Sequence, residues 1–165
     1  MRAAALFALL LAGAIFGFFY AWVCSTMWGL DRLPPDVAIQ AMQGMNGSVR
    51  NIVFAPAFFG TGPALLLAAV LCWRGGAVQS AQFLAAAAIA YLTGGLTLTL
   101  LVNVPMNEAL ALIDPQRTDA AEIWAAYSGR WQVWNVTRTV MSGVALLLTG
   151  IALLQIDRAV RPAPK

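Results

Sequence analysis

Asn103 and Asn107 stand four residues apart in NVPMNEAL, at the end of a run that carries no charge. That spacing puts both amides on one helical face, provided Pro105 kinks the helix without breaking it. Thr99 lies one turn earlier on the same face. Pro105 removes one backbone donor and frees a carbonyl one turn back. A second set, WQVWNVTR, supplies Trp131, Trp134, Asn135 and Arg138, and a third supplies Asn46 and Arg50. Glu108 is the carboxylate within the first set. Amide donors beside a guanidinium are groups that grip an anion.

Other chemistries are excluded by what is missing. The chain has no histidine, so His-ligated haem, His-ligated zinc and a histidine general base are all ruled out. No metal site is expected. The two cysteines, Cys24 and Cys72, fall at opposite ends of antiparallel spans, too far apart to bridge within one chain. Both are expected to be reduced core residues. The sequence pI of about 9.3 comes without any basic run, so a nucleic-acid partner is not indicated.

The elements that must position these groups follow from the charge pattern. The chain of 165 residues is 61% hydrophobic and 10% charged, with a mean hydropathy of +0.75. Soluble domains are only about 45–50% apolar and about 25% charged. Charge is absent from Arg2 to Asp31, from Arg50 to Arg74, from Arg74 to Glu108 and from Arg138 to Asp157, leaving gaps of 28, 23, 33 and 18 residues. A helix needs about 20 apolar residues to cross a hydrocarbon core of ~30 Å. The gaps predict spans over about 3–27, 51–73, 79–104 and 134–156, in a single domain covering 1–165. The fold class is all-α: a membrane-embedded antiparallel four-helix bundle with short interfacial helices on the outer side. A secretory leader is the rival reading of the first gap, but its apolar run is longer than the about 7–15 residues of such leaders and lacks a small-residue cleavage site before Cys24.

Lys and Arg divide equally between the two sides, so orientation rests on location. Arg74 and the tail RAVRPAPK, with Arg158, Arg161 and Lys165, lie close to the membrane. Arg32, Arg50, Arg117, Arg130 and Arg138 occupy the other side, and those beside asparagines and tryptophans read as buried for function. Short basic loops stay inside, which places both termini in the cytoplasm and the protein in the cell (inner) membrane.

Two long connections then fall on the outer side. In the first, Pro34-Pro35 and Asp36 start an amphipathic helix near 36–46, lying at the interface or capping the bundle. In the second, Asp119 and Glu122 form a capping-box pattern that starts a helix near 119–129. From there Trp124, Tyr127, Trp131, Trp134 or Asn135, and Arg138 fall on one stripe, unless Ser128-Gly129 interrupts it. Gly13 with Gly17, Gly94-Gly95, and Gly143 with Gly150 permit close helix approach, and Pro56 and Pro63 should kink the second span. Because spans alternate in direction, the polar sets converge at one depth. So many polar groups facing lipid would be unfavourable, so they turn inward, with Arg138 deepest.

NVPMN at the end of the third span, followed by W…W-N-x-x-R opening the fourth, resembles the anthrone-oxygenase-like family of small four-helix integral membrane proteins. AMQGMN, with Arg50 and Phe54 after it, fits as well, so the resemblance covers most of the chain in order and spacing. It implies oxygenation of an anthrone-like aromatic without a cofactor, because an anthrone carbanion reacts with oxygen directly. It also implies roles. Trp131, Trp134 and Tyr127 would stack the rings. Arg138 or Arg50 would stabilise the developing oxyanion, and Asn103, Asn107 and Asn135 would donate hydrogen bonds to it. Asn46 is the looser match. Glu108 would be the base, although it lies well round from the Asn103/Asn107 face and an ion pair with an arginine competes for it.

Two other classes fit the same residues. One is a binding or transport module for a lipid, quinone or small anion. The other is a structural membrane subunit whose polar layer sets helix register. The partners implied are a small aromatic or lipid-like ligand and the lipid bilayer, with an oligomer allowed. The residues nearest Arg138 in this reading are the asparagine amides and Glu108, so Arg138→Ala should cost stability.

Overall fold

The computed structural model describes the backbone of residues 1–160, with side chains through Ile156. The tail charges Arg158, Arg161 and Lys165 lie outside the described side chains. Helix α1 is Arg2–Leu30, α2 is Pro35–Ser48, α3 is Phe54–Arg74, α4 is Val78–Ala111 and α5 is Ala120–Val160. Among the described residues no strand occurs. All but α2 are long and apolar enough to cross a membrane. α1 and α4 each pack on both α3 and α5, so the long helices form a square with α1 and α4 on one diagonal. Alanines make that packing close: Ala8, Ala68, Ala87, Ala145 and Ala152 are fully buried at the helix contacts.

Gly94 lies against Met141 and Gly143 against Phe16, where a methyl would collide or crowd. Gly17 and Gly150 have open space beside them, so these two glycines of the small-residue pattern serve no tight contact. Pro56 falls in the first turn of α3, where its missing donor has no helical partner; only Pro63 is inside the helix.

α3 and α4 are joined by Gly75–Ala77. The Ala77 amide donates to the Cys72 carbonyl at 2.9 Å and that of Gly76 to Trp73 at 3.1 Å, the paired bonds of a Schellman ending. Gly76 has φ +79°, which a side chain resists. Gly76→Ala should cost about 1–2 kcal/mol, read as a lowered thermal midpoint in detergent. An unchanged midpoint would show that the turn relaxes freely.

α5 corrects one expectation. The helix expected near 119–129 is not separate but the first part of α5, which passes through Ser128-Gly129 unbroken. The reason is Asp31, at the end of α1. It accepts from Trp124 Nε1 at 3.1 Å, Ser128 Oγ at 2.6 Å and Gln132 Nε2 at 3.0 Å. These bonds clamp three turns of one helix and hold it together across a residue that costs about 1 kcal/mol in a helix interior. The helix begins directly after Asp119, as the capping-box pattern predicts, but the Asp119 side chain does not cap it. Its carboxylate is engaged by Arg117 Nε at 2.8 Å, and that bond holds it below the usual carboxylate range.

α2 caps the bundle. Ala38, Ile39 and Met42 are buried against Leu110, Trp124, Tyr127 and Trp131. Gln43 donates to the carbonyls of Leu110 at 2.9 Å and Ile113 at 2.8 Å, satisfying acceptors that the end of α4 leaves free. Both cysteines are free, but Cys24 is exposed on α1, not the core residue expected.

Candidate functional site

The polar sets meet where the backbone departs from α geometry. α1 is π-wound over Trp22–Thr26, and α4 over Tyr91–Thr97 and Thr99–Asn103. π turns bond i to i+5 and recur at functional sites. They carry α4 past Pro105 without a break. Thr99, which donates to the Gly95 carbonyl at 2.6 Å, and Asn103 are both buried.

On α5 the expected stripe is continuous. Trp124, Tyr127, Trp131, Asn135 and Arg138 are all buried, whereas Trp134 is half-buried on the flank. Arg138 is 5% exposed. Its Nε donates to Asn135 Oδ1 at 2.8 Å and its Nη1 to Thr99 Oγ1 at 3.4 Å. The guanidinium carbon lies 4.3 Å from the Phe19 ring centre and 4.9 Å from that of Trp131, within cation–π range of both faces. Asn135 is held in turn by the Phe19 carbonyl at 3.3 Å.

Among the described residues no carboxylate pairs with Arg138. Glu108, one of its expected partners, instead meets Arg50 at 3.3 Å, with both side chains more than half exposed. The connection after α2 carries Arg50 over to α4, a proximity that sequence distance hides. Arg138 is therefore the buried arginine of this layer; Arg50 and Arg130 are exposed.

Asn107 forms the next layer. Its Oδ1 accepts from Tyr127 Oη at 2.8 Å and Trp131 Nε1 at 2.9 Å. That orients the Trp131 ring beside Arg138. Asn103 is fully buried, and neither atom of its amide has a partner; Asn46 Nδ2 is also unpartnered.

A cavity of about 480 Å³ occupies this layer, in the ~300–1,000 Å³ range of small-molecule sites. Its wall takes Arg138, Asn107, Trp131, Asn46, Arg50 and Glu108 from the sequence-derived set. Asn103, Asn135, Tyr127 and Trp134 stand outside the wall. Asn135 reaches it through Arg138 and Phe19, and Tyr127 through Asn107. The apolar wall was not foreseen: Phe18, Phe19 and Trp22 from α1, and Phe54, Phe58 and Phe59 from α3. Phe18 and Phe54 touch with ring centres 4.8 Å apart, and Trp22 meets Trp131 at 5.2 Å. The i, i+4 pairs Phe18/Trp22 and Phe54/Phe58 were the available signal. Among the described residues no cluster of metal-binding side chains occurs.

The cavity can hold a flat apolar molecule between aromatic faces and present a fixed cation to one edge of it. A family model described as anthrone oxygenase matches residues 51–148. That segment contains α3, α4 and the part of α5 bearing Trp131 and Arg138; α1, α2 and Arg50 precede it. No curated protein and no solved structure matches the chain.

Proposed function

The chain belongs to the anthrone oxygenase family, and from that premise we propose that it oxygenates an anthrone-like aromatic at the α1/α3/α4/α5 cavity. What carries the reading is Arg138: a buried guanidinium on the cavity wall, flanked by Phe19 and Trp131, with no carboxylate partner among the described residues. A buried cation left unpaired is unfavourable. A ligand whose ring oxygen becomes negative supplies the missing partner at the moment when charge develops.

The chemistry balances with dioxygen alone. A ring-flanked C–H is lost as a proton, giving an enolate whose oxygen faces Arg138. The enolate reduces dioxygen, and a carbon–hydroperoxide bond forms. Elimination of water across that carbon leaves the quinone carbonyl. One dioxygen is consumed, with one atom kept in the quinone and one leaving in water. Arg138 stabilises the enolate, Asn135 and Thr99 aim the guanidinium, and Trp131, aimed by Asn107, stacks on the rings. Glu108, the carboxylate in the cavity wall, takes the proton.

The test is oxygen uptake by purified protein given anthrone, with the quinone as product. Uptake above the spontaneous rate supports the reading. Saturable anthrone binding without uptake reassigns the cavity to a binding module. Glu108→Gln should lower turnover by about 10²–10⁴ and leave binding of the quinone product unchanged. A variant as fast as the parent would remove Glu108 from the proton's path.

A further inference from the structure

The position of the cavity's opening bears on where its ligand comes from. α3 and α4 are packed from their connecting turn up to Tyr91–Thr97 and separate above it. The last ties are the Tyr91 hydroxyl donating to the Phe58 carbonyl at 2.5 Å and Leu92 seated on Gly62. Above them the cavity lies in the gap. Ile52, Phe59 and Leu100 line it and are 87%, 53% and 42% exposed. By the helical rise of about 1.5 Å per residue, Phe59 stands ~22 Å above Arg74, inside a hydrocarbon slab of ~30 Å, while Ile52 and Leu100 stand at its edge. An opening framed by apolar side chains at that depth faces acyl chains. At the bundle end, Arg50 of the connection reaches Glu108 of α4 at 3.3 Å, spanning the gap on its aqueous side.

We propose that the cavity is loaded from within the bilayer, through a lateral opening between α3 and α4 framed by Phe59 and Leu100. Its ligand is a neutral polycyclic aromatic dissolved in lipid, which acquires charge only on reaching Arg138. The Arg50–Glu108 pair bars the aqueous side. An anion could not follow this route, because it would have to shed its water in the hydrocarbon before meeting its cation.

The proposal rests on the aromatic-site reading above, and the experiment separates the two. Protein in phosphatidylcholine vesicles is mixed, without oxygen, with vesicles carrying anthrone, and quenching of tryptophan fluorescence is followed. Lateral loading predicts an association rate set by anthrone per lipid once the vesicles have equilibrated, unchanged when they are diluted at a fixed ratio. Leu100→Tyr, narrowing the opening, should slow association and dissociation together by about tenfold. Phe59→Ala should speed both, so the pair stays informative if one variant fails to fold. A rate that follows aqueous anthrone, or is raised by Arg50→Ala with both portal variants silent, would overturn the lateral route while leaving the aromatic site standing. No saturable quenching in the parent would overturn both.

Discussion

Arg138→Met is expected to lower oxygen-dependent turnover of anthrone by about 10²–10³, the scale of removing one oxyanion-stabilising group, without loss of thermal stability. The stability half reverses what sequence alone suggested. With Glu108 as partner, removing Arg138 would strand a buried carboxylate. Glu108 is instead exposed and paired with Arg50, so no charge is stranded. The variant leaves Asn135 Oδ1 without a donor, worth about 1–3 kcal/mol. It also relieves the burial of an unpaired cation, a penalty of several kcal/mol, and the unbranched methionine fits between Phe19 and Trp131 with favourable sulfur–aromatic contact. Arg138→Lys keeps the charge but loses the fork held by Asn135 and Thr99, and should retain part of the rate. Thermal unfolding beside oxygen uptake reads both halves. A large fall in midpoint with Arg138→Met would identify the residue as a structural lock.

The other large effect belongs to Asn107. Asn107→Leu removes one acceptor shared by Tyr127 and Trp131. Each donor left buried without a partner costs about 1–3 kcal/mol, and the two are stranded together. The variant should therefore unfold at a clearly lower temperature, and Tyr127→Phe should recover part of the loss by removing one orphan. Trp131 would lose its fixed tilt beside Arg138, so anthrone affinity should fall in whatever fraction stays folded. A midpoint equal to the parent's would mean that water satisfies both donors and that the layer is already wet.

The spans were legible because charge is forbidden in hydrocarbon, and the gaps it leaves have the length of a bilayer. The same logic misplaced the start of α5. Glu122 and Arg130 pushed the expected start of the fourth span to 134, yet they sit on the exposed side of the same helix, which Asp31 clamps from α1. The stripe from Trp124 to Arg138 was legible because helical spacing survives any environment. The aromatic wall was not. In a span that is apolar all round, the i, i+4 spacing of Phe54 and Phe58 puts both rings on one face but does not tell whether that face meets a cavity or lipid. An ion pair of Glu108 with an arginine was legible, but that the arginine is Arg50 was hidden: it depends on where the connection after α2 crosses to α4, and no local pattern encodes that crossing. Cys24 was expected inside because thiols usually are, but it falls on the outward side of the π turn in α1.

The most direct test reads the charge of a bound ligand, with no turnover required. Anthrone bound to the protein without oxygen should show the absorption of its enolate at a pH where anthrone in empty detergent micelles is still neutral, because Arg138 stabilises the anion in place. The same titration with Arg138→Met should return the bound ligand to the behaviour of the micelle. Bound anthrone that stays neutral over that range in the parent, or ionises equally in the parent and Arg138→Met, would contradict the assignment of Arg138 as the group that holds the oxyanion.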